Sequence, residues 1–364
     1  MNANRFSRRD FARLLTASAA VAAIPRLALA KPVESVRLSA NENPYGPSPA
    51  AMRAISDRLG TLNRYPDEIE EAFANDVAKL HGLTTDEVML ANGSSDVLRA
   101  AATAFLAPGK KLVTGDPTFE ILWFHAQTLG ADIVKVPLDA AFAHDVAKIA
   151  DAAKNGAALI YICNPNNPTA TITPKAAMRT LLAALPATTI VLVDEAYHHY
   201  AEGSDYESVA PLVRNYPNLI VARTFSKIYA MAGLRCGYGL ANKELMRKLS
   251  SGQGFNAMNT LALAAARASI TDADHIALGR KRNHDTRAWL TKELEALGYR
   301  SLPSEANFVM VELRRDAKPV ITAMRERGVF PGRLFPGMPQ HLRVTIGRAE
   351  EMEKFVEAFK AVVS

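Results

Sequence analysis

The sequence predicts an α/β protein: a mostly parallel central sheet covered on both faces by helices, followed by a smaller α+β domain. Three observations carry this. Ala158–Cys163, Ile190–Val193 and Leu219–Ala222 are continuous apolar runs, without the alternation of a half-solvated strand, so both faces of each need cover. Helical segments separate these runs, which is the order of a parallel sheet with crossover helices. After about Phe255 the texture changes to a long Ala/Leu-rich helix, a charged helical stretch and shorter alternating strands. A chain of 364 residues is long enough for two such domains.

In order, residues 1–30 read as a targeting segment and residues 31–70 as an N-terminal arm. Residues 71–254 form the large domain and 255–364 the smaller one. Leu38–Pro49 is rich in Pro, Asn and Gly and excludes regular helix or central strand. A helix is expected from about Ile69 to His81, then a short strand at Val88–Leu90. The turn Asn92-Gly93-Ser94-Ser95-Asp96 opens a helix that runs to about Phe105. Strands at Lys111–Val113 and Ile133–Val136 flank a helix around Ile121–Leu129. Helices near Val146–Lys154 and Pro174–Leu185 alternate with the apolar runs, and Gly237–Ala241 completes the sheet. In the last third, Thr260–Ser269 is helical and leads into a charged helix through Leu297. Asn307–Val311 and Leu342–Ile346 alternate as strands, and Glu350–Val363 closes the chain as a helix.

Composition narrows the function. Hydrophobic content of 49% against 22% charged residues excludes a disordered or fibrous chain. The formal charge of +6 hints at nucleic acid, but residues 1–30 hold five Arg against one Asp, which is +4, and leave +2 for the remainder. That is too little for a basic footprint, so no nucleic-acid partner is expected. Ser7-Arg8-Arg9-Asp10-Phe11, the short apolar stretch Leu14–Ile24 and Ala28-Leu29-Ala30 have the order of a twin-arginine export signal cleaved near Ala30. The expectation is a periplasmic protein, exported folded, with no stable membrane anchor, since the apolar run is too short to span. Cys163 and Cys236 sit in no ligand spacing; an oxidising compartment would allow them to pair, but two buried free thiols are the expectation, and the scattered histidines supply no metal site.

Four polar clusters stand at successive strand ends, where open α/β sheets bind ligands. Gly93-Ser94-Ser95-Asp96 offers N–H groups and hydroxyls at a helix N-terminus, suited to a phosphate; alone it is an ordinary N-cap. Asn164-Pro165-Asn166-Asn167-Pro168-Thr169 is a rigid turn. Asp194-Glu195-Ala196-Tyr197 puts carboxylates at the end of an apolar strand, where they need a partner or a function. Thr224, Ser226, Lys227 and Arg235 bring hydroxyls, an amine and a guanidinium to the fourth end, enough to hold an anion and present a nucleophile.

Together and in this order the clusters resemble the fold-type I aminotransferases that use pyridoxal 5′-phosphate, and most of all the histidinol-phosphate aminotransferase family. The resemblance rests on N-E-N-P-Y-G-P, R-Y-P-D, N-P-N-N-P-T, D-E-A-Y, S-K, G-L-R-x-G, A-N-F and L-R-V-T-I-G, spread over nearly all of the chain after the targeting segment. It implies the PLP-transferase fold and a role for each matching residue. Lys227 would form the Schiff base with the cofactor aldehyde and carry the proton. Asp194 would face the pyridine nitrogen and keep it protonated. Tyr197 and Asn167 would hydrogen-bond the phenolic oxygen, and Ser94, Ser95, Thr224, Ser226 and Arg235 would surround the phosphate. Tyr65 would reach the phosphate of a neighbouring subunit, which requires a homodimer. Arg343 would pair with the substrate α-carboxylate. Asn43 and Tyr45 of the arm and Arg333 are further candidate substrate contacts. The implied partners are a small-molecule amino donor and a 2-oxo acid acceptor.

The chain departs from the family in places. Ala170 follows Thr169 where Gly is usual, so the backbone of that turn is expected to differ slightly. Leu122 stands where a Tyr usually stacks on the cofactor, leaving Phe119 or Trp123 for that place. Gly254–Asn259, where the substrate side chain belongs, is unlike the usual family sequence, and the spacing from Arg333 to Arg343 is short for a phosphate-binding arginine. These departures, with export, point away from histidinol phosphate itself while leaving transamination intact. The alternative on the same scaffold is a decarboxylase or lyase resembling threonine-phosphate decarboxylase, which shares the lysine, aspartate and arginine.

Overall fold

The structure, a computed structural model, describes residues 35–253 and 258–364. The targeting segment and Gly254–Ala257 lie outside the described residues. In chain order the elements are β1 (Val36–Arg37), α1 (Pro49–Arg58), α2 (Asp67–His81), β2 (Val88–Ala91), α3 (Ser94–Phe105), β3 (Lys111–Asp116), α4 (Ile121–Thr128), β4 (Asp132–Pro137), α5 (Val146–Ala153) and β5 (Ala157–Cys163). They continue with α6 (Lys175–Ala184), β6 (Ile190–Asp194), β7 (Leu219–Thr224), β8 (Gly237–Leu240), α7 (Lys243–Leu249), α8 (Thr260–Ser269), α9 (Ala273–Ala296), β9 (Arg300–Ser301), β10 (Phe308–Glu312), α10 (Ala317–Glu326), β11 (Val329–Phe330), β12 (His341–Thr345) and α11 (Ala349–Val363).

The large sheet has the order β2-β8-β7-β6-β5-β3-β4. β7, β6, β5, β3 and β4 run parallel, while β8 is antiparallel to both β7 and β2. The continuous apolar strands split their side chains between two cores, as period-2 geometry requires. Ile160, Ile162, Val191, Val193, Leu219 and Val221 face one core; Leu159, Tyr161, Leu192, Ile220 and Ala222 face the other. The first core is closed by Phe73 and Val77 of α2, Leu181 and Leu182 of α6, and the Ala-rich face of α8; the second by α3, α4 and α7. The Ala/Leu-rich helix after residue 255 thus packs with the large sheet.

A third core joins α9, α10 and α11 to the antiparallel sheet β12-β10-β9. Val36 and Leu38 belong to it, because β1 pairs in parallel with β11 and Leu38 N–H donates to Phe330 O at 2.9 Å. The arm therefore starts inside the smaller core and then crosses to the large sheet. Its helix α1 follows a segment read only as irregular: Ser48 caps it, accepting from Ala51 N at 3.1 Å, and Pro49 stands at its first position.

One departure and the state of the cysteines resolve here. Ala170, buried, takes φ +65°, the left-handed conformation a glycine would adopt, so this turn keeps a glycine-like backbone despite its Cβ. Cys163 and Cys236 are buried free thiols.

Candidate active site

The carboxyl ends of β3, β5, β6 and β7 and the N-terminus of α3 converge on a cavity of about 390 Å³. It is lined by Lys227, Asp194, Tyr197, Asn167, Ser94 and Ser95, by Thr224, Ser226 and Arg235, and by Arg343 and Arg333. Phe119 also lines it, whereas Leu122 is fully buried in the core and Trp123 packs there with Lys135 Nζ 3.6 Å from its ring centroid. Of the two candidates Phe119 and Trp123, Phe119 is therefore the one that lines the cavity.

One end of the cavity is an anion cup. Gly93, at φ +83°, leads into α3, which has no side-chain cap; Asp96 N–H donates to Gly93 O at 3.1 Å, and Ser94 and Ser95 of the first turn line the cavity. A Cβ on Gly93 would stand 2.5 Å from Arg235 Nη2, and one on Gly237 would stand 2.6 Å from the Gly93 carbonyl carbon, so both glycines permit this close approach. Arg235 Nη1 donates to Ser226 Oγ at 3.4 Å, and Thr224 Oγ1 donates to Ser226 Oγ at 2.9 Å. The hydroxyls of Ser94, Ser95, Thr224 and Ser226, a helix N-terminus and a guanidinium form a donor set suited to a phosphate.

Asp194 ends β6 and is 2% exposed. It accepts from Ala196 N at 3.1 Å and from Tyr161 Oη at 3.2 Å. Among the described residues no cation pairs with it. Burial therefore prevails over these neutral donors and raises its pKa to about 6. A buried carboxylate with room for a cationic partner fits a ring nitrogen that must stay protonated.

Lys227 follows β7. Its Nζ donates to Ala40 O at 3.3 Å and Asn41 O at 3.1 Å, so the arm closes over the amine. Burial, and then the Arg343 guanidinium, lower its pKa to about 8. Tyr197 lies beside it, with Nζ 5.4 Å from the ring centroid; burial raises the phenol. Arg343, on β12, donates to Asn167 Oδ1 at 2.7 Å and Ser39 O at 2.6 Å, while its buried Nε has no partner. A buried guanidinium that lines the cavity suits an incoming carboxylate.

Three predicted residues stand apart. Asn43 spends its amide on Ile228 O at 2.9 Å, and the Tyr45 ring lies under Arg282 and Arg348; neither lines the cavity. The arm reaches the site through Ala40, Asn41 and Glu42 instead. Tyr65 is 83% exposed and likewise outside the cavity of its own chain. Arg333 stands at the mouth, ion-paired with Glu120. From the Asn41–Tyr45 arm the sequence reading singles out Asn43 and Tyr45 rather than Asn41, and it does not single out Glu120, the partner of Arg333.

Comparison with known proteins agrees with this geometry. Residues 33–359 match the family model described as aminotransferase class I and II. The chain is 40% identical over 330 residues to a histidinol-phosphate aminotransferase of Symbiobacterium thermophilum, covering 90% of each chain. It is 40% identical over 335 residues to histidinol-phosphate aminotransferase 2 of Pseudomonas fluorescens, covering 92% of this chain and 90% of that one. Its fold superposes on the crystal structure of a histidinol-phosphate aminotransferase from Sinorhizobium meliloti in complex with pyridoxal 5′-phosphate, with a TM-score of 0.85, 26% identity and 90% of each chain covered. The chain belongs to the aminotransferase class I and II family.

Proposed function

We infer that the protein is a pyridoxal-phosphate-dependent aminotransferase, similar to histidinol-phosphate aminotransferases, that moves an amino group from an amino acid or amino alcohol phosphate to a 2-oxo acid. The observation that carries this is the union, in one cavity, of a lysine amine lowered to about 8, a buried carboxylate without a cation, an anion cup and a buried arginine with a free Nε. Ser94, Ser95, Thr224, Ser226 and Arg235 would hold the cofactor's phosphate. Asp194 would hold its ring nitrogen, Asn167 and Tyr197 its phenolic oxygen, and Phe119 would cover its ring. Pyridoxal phosphate, when bound, supplies an aldehyde carbon that takes the amino group and a ring that withdraws electrons from the substrate α-carbon.

The protein's own groups do the rest. Arg343 orients the donor through its carboxylate, or the corresponding anion. Lys227 Nζ takes the proton from the donor's α-carbon, and a pKa near 8 leaves a useful neutral fraction in the neutral range. Asp194 stabilises positive charge beside it in a water-poor site. Glu120 already engages Arg333, so Arg333 is the contact most open to competition from the substrate's distal group.

Two further features belong to this reading. A homodimer is supported by the exposed apolar run Met52, Leu59, Leu62 and Tyr65, which a partner subunit would cover. Export by the twin-arginine route to the periplasm, after the cofactor is taken up, is supported by the charge, apolar and small-residue order of residues 1–30. Sedimentation and cell fractionation test these two directly.

The test of the reaction is a donor screen that follows the bound-cofactor absorbance, with histidinol phosphate, aromatic and acidic amino acids as donors. Loss of the visible band with a donor, and its return with 2-oxoglutarate, is the expected result. Release of CO2 or ammonia without exchange against any 2-oxo acid would overturn it.

A further inference from the structure

Asn41 is buried and holds φ +54°, a conformation that Asn tolerates better than most residues but still at some cost. Its hydrogen bonds show what that conformation accomplishes. Asn41 N donates to Thr345 Oγ1 at 2.9 Å, and the Thr345 hydroxyl donates back to Asn41 Oδ1 at 3.2 Å. With the side-chain oxygen so engaged, the amide is oriented and its Nδ2 donates to Tyr197 Oη at 2.9 Å. Asn307 Nδ2, from the smaller domain, donates to Asn41 O at 3.0 Å, the same carbonyl that receives Lys227 Nζ.

The direction of this chain decides where the Tyr197 hydrogen goes. Asn41 Nδ2 can only donate, so the Tyr197 oxygen is an acceptor on that side and its own hydrogen must point elsewhere. No acceptor for that hydrogen is present among the described residues, and the ring borders the cavity. We propose that Asn41, oriented by Thr345, is a positioning residue that forces the Tyr197 hydroxyl to donate into the cavity, toward the phenolic oxygen of the cofactor. The inference rests on the cofactor reading above. The titratable and charged groups facing this hydroxyl are Arg343 from β12, Asp194 from β6, Cys163 from β5 and Lys227 after β7. None of them supplies the neutral donor that Asn41 does.

The test uses the full-length holoenzyme and the pH midpoint of its bound-cofactor absorbance. A hydroxyl donated to an oxyanion favours the deprotonated form, so weakening that donation moves the midpoint up. Thr345→Val, which keeps shape but frees the amide to turn, should raise the midpoint by about half to one pH unit, a several-fold change in proton affinity. Thr345→Ser should restore the parent value. Asn41→Asp, which turns the donor into an acceptor, should raise it further. In a Tyr197→Phe background Thr345→Val should leave the midpoint in place, because the hydroxyl it steers is gone. A merely structural role would shift both backgrounds alike, and that result overturns the inference. So does an unchanged midpoint in Thr345→Val, or in Asn41→Asp should Thr345→Val fail to fold. A parent protein that takes up no pyridoxal phosphate overturns the functional reading itself, so the two failures are told apart.

Discussion

Arg343 Nη1 donates to Asn167 Oδ1 across 2.7 Å, which ties a strand of the smaller sheet to the turn after β5. The guanidinium is thereby held at the cavity with its buried Nε unspent, and burial lowers its pKa to about 10. It stays charged at neutral pH and is fixed by groups that a shorter or softer cation could not reach at once.

Arg343→Lys should therefore raise KM for donor and for 2-oxo acid together and lower kcat/KM by about 10²–10³-fold, the scale of a lost partner in a buried charged pair. Steady-state kinetics with both substrates check this. An effect confined to one of the two would contradict a shared carboxylate site.

Asp194 makes an opposite prediction for stability and for activity. Its pKa rises from 3.8 to about 6 on folding, so between those values the folded chain binds more protons than the unfolded chain. Stability contributed by this group is then present at low pH and falls as pH rises toward 6. Asp194→Asn should stabilise the cofactor-free protein by about 2–3 kcal/mol at pH 7 in urea unfolding, with the advantage gone near pH 4. The same substitution should cost turnover about 10²-fold or more. Equal unfolding midpoints at pH 7 would show that the carboxylate is not held against its desolvation.

Glu195, one residue on, is in a different position. It pairs with Arg223 at 2.6 Å, the two side chains being 1% and 7% exposed, and also accepts from Val209 N at 2.7 Å. Glu195→Gln or Arg223→Met alone should cost about 3–5 kcal/mol of stability, since each strands a buried charge. The double replacement should cost clearly less than the sum. Urea unfolding of the set measures it.

Lys227 should be reactive in the cofactor-free protein at a pH where other lysines are not. Burial and Arg343 lower its pKa to about 8, against 10.5 for an ordinary lysine. Its acylation rate, followed by peptide mapping, should rise through a midpoint near 8. Arg343→Gln should move that midpoint up, because a nearby guanidinium disfavours the ammonium.

Much of this was legible in the chain. The apolar runs at Ala158–Cys163, Ile190–Val193 and Leu219–Ala222 announced strands buried on both faces, and polar residues at their ends had to gather at one edge. Tertiary choices were not legible in the same way. Whether Phe119 or Trp123 meets the cavity depends on which face of α4 and its preceding turn packs inward, and period alone does not say. Asn43 and Tyr45 looked equivalent to Asn41 as arm residues, but Asn41, at φ +54°, lines the site with Ala40 and Glu42 while Asn43 and Tyr45 do not. The helix at Pro49–Arg58 was announced by Ser48-Pro49 yet hidden behind the prolines that precede it. Ala170 shows that a turn can keep its backbone when the residue it favours is absent.

The most direct test of the central claim is borohydride reduction of the protein loaded with pyridoxal phosphate, followed by peptide mass mapping. The account predicts a single cofactor adduct on Lys227, absent from Lys227→Ala, with turnover of donor and 2-oxoglutarate lost in that variant. An adduct on another lysine, or a Lys227→Ala protein that turns over at the parent rate, would contradict it.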